Sequence, residues 1–436
     1  MNTVRVKNEC IGKIKPMHAI NNAPIDITFD GNFSLLSDAN IPYARLHDTG
    51  GHYGSYVFVD IENIFRDFDA DPKKPESYDF AFTDYIVNKL MESGCMPFYR
   101  LGASIEINHK IRAYRIYPPK DYKKWAEICE GIINHYTNGF AGGYFYPIEY
   151  WEIWNEPDNE PNPEDSPMWR GSMEEYFKLY SVASRYLKEK FPNIKIGGYG
   201  SCGFYKIADI ECGREANVSP RTEYFVEFFH KFLEYIKREG APLDFFSWHT
   251  YADPKTNMIF ADYARKTLDS FGFLKTENIC DEWNTGTGLG GNAFDASRIA
   301  QCMIDWQNSS LDMAMYYDFQ TISPYCNVID AKTHAPTLAY YPFLAFGKLY
   351  KMKNQIYTES DGCILSLGAS DGENIALMLV NMSGENREVE ISIDGEIISS
   401  QVFDEAHNGN FDAKVNENKL MLGGFAVAIV EGISNR

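Results

Sequence analysis

The chain has 436 residues, enough for one large domain or for two of ordinary size. Hydrophobic residues make up 44% and charged residues 23%, a globular composition with ample material for a core. The formal charge of -20 repels phosphate backbones and anionic lipid, which argues against nucleic acid and membrane surfaces as partners.

Taken in chain order, strand-like and helix-like patterns alternate from about residue 15 to 345. Strands are expected at 15–20 (the weakest), 41–46, 96–101, 150–154, 194–198, 244–249, 278–283 and 313–318, where short apolar runs carry aromatic and β-branched residues. Amphipathic helices are expected at 79–93, 120–136, 172–190, 224–239, 260–271 and 293–308. The fourth keeps Phe225, Phe228, Phe229, Phe232, Leu233 and Ile236 on one stripe. This alternation predicts an α/β fold, a closed (β/α)8 TIM barrel over residues 15–345. A doubly wound open sheet often carries a glycine-rich phosphate loop after its first strand, and none is present. The glycine-rich segment 286–291 follows a late strand without GxGxxG spacing and reads as a loop.

Past about residue 350 the texture changes to short strands at 374–381, 388–393, 397–403 and 424–431. Asp-Gly at 394–395 and Asn-Gly at 408–409 are hairpin-turn signals. Residues 346–436 are therefore expected to form a small all-β, sandwich-like accessory domain, joined by an N-terminal strand from 1–14.

The nine cysteines include no CxxC pair and no Cys/His cluster at zinc-ligand spacing, so free thiols in a reducing compartment are expected. Residues 1–10 lack the basic end, apolar run and cleavage site of a signal peptide. No apolar run nears the roughly 20 residues that cross a bilayer. The expectation is a cytoplasmic protein. With no HExxH, EF-hand or P-loop motif, neither a metal nor a cofactor is expected.

Two segments carry chemistry. In Tyr150-Trp-Glu-Ile-Trp-Asn-Glu-Pro-Asp158, Asn155 and Glu156 fall where the fourth barrel strand ends, and Pro157 cannot continue a central strand. In Ile279-Cys-Asp-Glu-Trp-Asn-Thr-Gly286, Glu282 falls near the tip of the seventh. Barrel active sites are built from strand tips and βα loops at that end. Glycoside hydrolysis needs two carboxyl groups facing one bond, and tips of strands four and seven can converge across the barrel mouth.

The order of Arg45-Leu-His-Asp48, Trp151–Pro157, Ser247-Trp-His-Thr-Tyr251 and Asp281-Glu-Trp-Asn284 resembles glycoside hydrolase family 39, which contains β-xylosidases and α-L-iduronidases. The likeness spans the barrel. It departs at Asp48-Thr-Gly-Gly51, where β-xylosidase relatives usually carry another loop, and the chain is compact for the family. The resemblance implies a retaining hydrolase with Glu156 as acid/base and Glu282 as nucleophile. Adjacent strand residues point to opposite sides, so only one of Asp281 and Glu282 is expected to face the mouth, and the resemblance selects Glu282.

Glu156 is expected to have a raised pKa, from burial and from the nucleophile's charge. Asn155 is a candidate donor to the sugar 2-hydroxyl. Arg45 is expected to pair with Glu282 or with Glu152. The resemblance implies sugar contacts at His47, His249 and Tyr251, and Asp48 beside His47 is a further candidate. Tyr317 and Gln320 follow the eighth strand, and Trp283 is a candidate sugar platform. His109, Lys110 and Arg112 are loop cations that a uronate would need. The expected function is a retaining exo-glycosidase acting on short oligosaccharides or glycosides, with β-xylosides as the default. An endo-acting hydrolase or transglycosidase, and a catalytically silent carbohydrate-binding barrel, are the alternatives. Assembly into a homo-oligomer stays open.

Overall fold

The computed structural model describes residues 2–25, 31–50, 58–104, 115–286, 290–321, 323–406, 411–412 and 418–435. After β1 (Asn2–Lys13), eight parallel strands close into a barrel. They are β2 (Ala19–Asn21), β3 (Tyr43–Leu46), β4 (Met96–Leu101), β5 (Tyr150–Ile153), β6 (Lys195–Ser201), β7 (Phe245–Thr250), β8 (Glu277–Trp283) and β9 (Met313–Tyr316). β9 pairs back onto β2, with Ala19 opposite Met315, so no sheet edge is left open.

Side chains alternate along a strand, and here the alternation layers the barrel interior. Phe98, Tyr150, Phe245, Ile279 and Met313 form a buried apolar plug. The Phe98 ring lies 5.1 Å from both Tyr150 and Phe245. Two residues further along β3, β4, β5, β7 and β8 the inward positions turn polar: Arg45, Arg100, Glu152, Ser247 and Asp281 are all fully buried. Two residues further again stand His47, His249 and Tyr317. The plug closes one end of the barrel, so its polar chemistry faces the other.

The first strand is later and shorter than the expected 15–20. Pro16 has no N–H to give to a ladder, and its carbonyl instead accepts from Ala314 N at 3.3 Å. β5 stops at Ile153 because Trp154 (φ 80°) and Glu156 (φ 45°) take left-handed backbone. The outer helices begin where their caps dictate, for example at Ser172 and Ser219, each of which closes a capping box.

The C-terminal region is a nine-stranded sheet that takes in β1. Its other strands are β10 (Asn354–Ser360), β11 (Ile364–Ser370), β12 (Asn374–Asn381), β13 (Arg387–Ile393), β14 (Gly395–Phe403), β15 (Phe411–Asp412), β16 (Lys419–Leu422) and β17 (Val427–Ser434). β1 lies antiparallel to β10 and parallel to β13. Val4, Val6, Ile356, Leu377, Val389, Ile391 and Leu420 form a core of their own. Ala376, Met378, Val380 and Ile429 belong instead to the large core shared with the barrel's helices. The helix Tyr341–Met352 and the strands β10, β11 and β16 are additions to the expected elements. That helix is apolar around most of its surface, so it lacks the contrast of faces that periodicity detects. The turn signal at 408–409 lies outside the described residues. Among the described residues, no helix is long and apolar enough to cross a membrane.

Candidate active site

The site is organised by Arg45, which is fully buried on β3. Its Nε lies 2.8 Å from Glu152 Oε2 and 2.9 Å from Asp281 Oδ2. Its Nη1 lies 3.2 Å from Glu282 Oε2, and its Nη2 donates to Asn155 Oδ1 at 2.5 Å. Arg45 therefore meets both partners expected of it, and Asp281 as well. A guanidinium has no acceptor, so the contact at Oδ1 turns the Asn155 NH2 group away from Arg45. Burial raises the Asp281 carboxyl well above the usual range, and the nearby Glu152 charge adds to the effect against Arg45. Burial opposes ionisation of Glu152 too, but there Arg45 prevails and holds it below the usual value.

Simple alternation predicts that only one of Asp281 and Glu282 faces inward, and the structure corrects this. β8 shifts register against both neighbours, between Trp248 and His249 on one side and between Cys280 and Trp283 on the other. An extra residue of this kind re-aims side chains. Asp281 then reaches Arg45 from below while Glu282 reaches it at the mouth. Glu282 Oε1 accepts a hydrogen bond from the Tyr251 hydroxyl.

Glu156 faces this group from the turn just after β5. Its Oε1 lies 2.7 Å from His249 Nδ1, and its Oε2 accepts from Asn159 Nδ2 at 2.7 Å. Its backbone N–H is fixed by the carbonyls of Tyr199 and Gly200 at 3.1 and 3.0 Å. Gly200 (φ 63°) must lack a side chain, because a Cβ there would lie 3.0 Å from His249 Nε2 and 3.2 Å from Arg45. His249 Nδ1 is also 3.7 Å from Glu282 Oε2, and Nε2 is 3.4 Å from Asp281 Oδ1. Burial alone would lower the His249 pKa, but the Glu282 charge, the bond to Glu156 and the Asp281 charge raise it to about 9. The expected raised pKa of Glu156 is corrected accordingly. Burial pushes it up, yet the bond and charge of His249 and the Asn159 donor outweigh burial, and the carboxyl lies below its usual value. Burial and the Glu282 charge alone would raise it, but the His249 cation lies between the two carboxylates.

Donor atoms of Glu156, His249 and Glu282 all lie within 4.8 Å of one another. The Glu156 side chain is 17% exposed and that of Glu282 8%, so Glu156 stands nearer the solvent. By donor type the three could also hold a cation, but only in place of the His249 proton.

The opposite wall holds the other candidates. Asp48 (φ 52°) accepts from Tyr317 Oη at 3.0 Å and lies 3.2 Å from His47 Nε2. Burial would raise the Asp48 carboxyl, but His47, Arg100 and the Tyr317 hydroxyl hold it well below the usual range. Gln320 accepts from Gly50 N at 2.6 Å, tying the loop after β9 to the loop after β3. Trp283 is not in this wall. It is wholly buried between Trp306 and Tyr316, with ring centroids 4.9 and 5.1 Å away, and offers no face to a sugar. His109, Lys110 and Arg112 lie outside the described residues.

Three residues here escaped the sequence reading. Asn159 lies three positions past Glu156, where a polar residue beside a strand tip was the available signal. Asp158 accepts from Ser201 Oγ at 2.8 Å, and burial with the Glu156 charge pushes it up to about 7. Tyr325, with its ring 5.5 Å from Tyr251 and 5.2 Å from Tyr317, sits in a loop with no motif to mark it. A separate pocket of about 830 Å3, lined in part by Tyr43, Met96, Glu149 and Tyr350, includes neither glutamate in its lining.

The sequence model of the glycosyl hydrolases family 39 matches residues 34–268, over half of the chain. A β-xylosidase from Geobacillus stearothermophilus is 25% identical over 225 residues, covering 50% of this chain and 39% of that protein. A β-xylosidase from Caldicellulosiruptor saccharolyticus is 25% identical over 277 residues, covering 57% and 50%. The match thus spans half or less of the length of these curated relatives. Among solved structures, a glucosidase from Croceicoccus marinus superposes with a TM-score of 0.79 at 19% identity, covering 100% and 99% of the two chains. A monomeric β-xylosidase from Caulobacter crescentus gives 0.69 at 14% identity over 100% of both. At those identities the likeness is one of fold. With the family's sequence pattern running from before β3 to beyond β7, the chain belongs to the glycosyl hydrolases family 39.

Proposed function

We propose that the chain is a retaining exo-glycosidase that removes terminal sugars, β-xylosides by default, from short glycosides. The observation that carries this reading is the carboxylate spacing, with oxygens of Glu156 and Glu282 within 4.8 Å. Retaining enzymes hold the two groups about 5–5.5 Å apart, whereas inverting enzymes leave about 6.5–9.5 Å for a water. The xyloside default rests on the names of the two curated relatives.

In this reading Glu282 attacks the anomeric carbon as the glycosidic C–O bond breaks, and Glu156 gives its proton to the departing oxygen. Water then attacks the glycosyl-enzyme, gives its proton to Glu156, and frees Glu282. The Asn155 NH2 group is the donor for the sugar 2-hydroxyl. Without sugar, the proton of the Glu156–His249 pair rests on His249. A bound sugar displaces water, which weakens an ion pair relative to its neutral form and moves that proton to Glu156.

The test is proton NMR of the first-formed anomer from an aryl β-xyloside, together with labelling by a 2-fluoro xyloside. Retention with the label on Glu282 is expected. Inversion, or a label on Asp281, overturns the mechanism, and no turnover of any aryl glycoside overturns the hydrolase reading.

The pair also sets the pH dependence. The last proton leaves it as pH rises through the His249 value of about 9, so the basic limb of kcat/KM is expected near there. In His249→Gln, Glu156 holds its proton alone, as a buried carboxyl without the cation that holds its pKa down. The basic limb should move to lower pH, because a carboxyl now loses the proton that the imidazolium held. A limb still near that of the wild type in the variant would show that His249 does not share the acid proton.

A further inference from the structure

We propose that Asn159 and Arg221 form a positioning relay that aims the acid/base carboxyl of Glu156 at the leaving-group oxygen. This rests on the role proposed above for Glu156. The relay starts on a different element from Glu156, the first turn of the helix Pro220–Glu239.

The geometry fixes every atom in it. Arg221 Nε donates to the Asn159 carbonyl at 2.7 Å, and its Nη2 donates to Asn159 Oδ1 at 3.2 Å. Because a guanidinium only donates, Asn159 must present Oδ1 to it. The amide NH2 is thereby turned toward Glu156, where it donates to Oε2 at 2.7 Å. Arg221 is itself held by Glu160 Oε1 at 2.9 Å and lies 5.1 Å from the centre of the Phe225 ring. Glu156 is thus gripped at both oxygens, by His249 at Oε1 and by Asn159 at Oε2. It sits on left-handed backbone at φ 45°, a conformation that persists only where surrounding contacts over-determine it. His249 shares the proton, while Asn159 fixes the carboxyl plane that has to meet the aglycone oxygen.

Proton donation matters in proportion to how poor the leaving group is. A misaimed Glu156 should therefore harm poor leaving groups selectively. A loss of general folding quality would instead lower all substrates together. The experiment measures kcat/KM of the full chain across aryl xylosides from dinitrophenyl to methoxyphenyl, for the wild type, Asn159→Ala, Arg221→Met, Arg221→Lys and Glu156→Ala. Asn159→Ala should lose about 10- to 100-fold on the poorest leaving group and under about threefold on dinitrophenyl, a partial copy of Glu156→Ala. Arg221→Met should tilt the series the same way by severalfold, and Arg221→Lys should recover part of it. A flat loss across the series in Asn159→Ala, or no loss, overturns the relay. If Glu156→Ala shows no dependence on leaving group, the acid/base role itself fails, and the relay fails with it.

Discussion

Replacing Glu282 by Ala is expected to lower kcat on aryl xylosides by on the order of 10⁵-fold or more, the scale of loss when a covalent nucleophile is removed. No neighbour can replace it. Asp281 is the nearest carboxyl by sequence, but burial raises its pKa well above the usual range, and its Oδ2 is held 2.9 Å from Arg45. Glu282 by contrast is set by Arg45 at one oxygen and by the Tyr251 hydroxyl at the other. Arg45 keeps Glu152 and Asp281 as partners in the variant, so its buried charge stays compensated and the barrel should fold. Azide fits the space left by the carboxylate and should restore turnover, giving a glycosyl azide of inverted configuration. Asp281→Asn, which keeps the shape of the side chain and leaves Glu282 in place, should keep kcat within about tenfold. The reverse ranking of the two variants would reassign the nucleophile.

Much of this site was legible because it lies on strands. Period-2 alternation carried Arg45, His47, Glu152 and His249 to inward positions, and the Asn-Glu-Pro turn marked the end of β5. What alternation cannot carry is a residue gained in register. The shift in β8 brings Asp281 and Glu282 to the same cation, and no local pattern in Ile279–Trp283 announces it. The pKa of Glu156 was misread for a related reason. Its sign depends on His249, 93 residues away in sequence, and only barrel closure sets that distance. Tyr325 and Asn159 fall in loops, where position follows from tertiary contacts and not from periodicity. In the C-terminal sheet the same limit applies to β1. Its strand character can be read from the sequence, but its place between β10 and β13 is a long-range pairing.

Replacing Glu156 by Ala separates the two half-reactions, and its effect should depend on the substrate more than that of any other variant. Proton donation contributes about 10²- to 10⁴-fold, so kcat/KM on alkyl or methoxyphenyl xylosides should fall by that amount. A dinitrophenyl leaving group departs without a proton, and its kcat/KM should change by less than about tenfold. The second step also loses its base, so the glycosyl-enzyme accumulates, and kcat and KM on that substrate should fall together. Azide should attack the waiting intermediate and give a glycosyl azide of retained configuration, opposite to the product of the Glu282 variant. The truncation leaves His249 facing Glu282 at 3.7 Å, so its proton loses one anionic partner and keeps another. What disappears is the carboxyl that passes that proton to a sugar in the proposed mechanism. Equal losses on good and poor leaving groups would show that Glu156 holds the site together without donating, and would remove the acid/base assignment while leaving Glu282 in place.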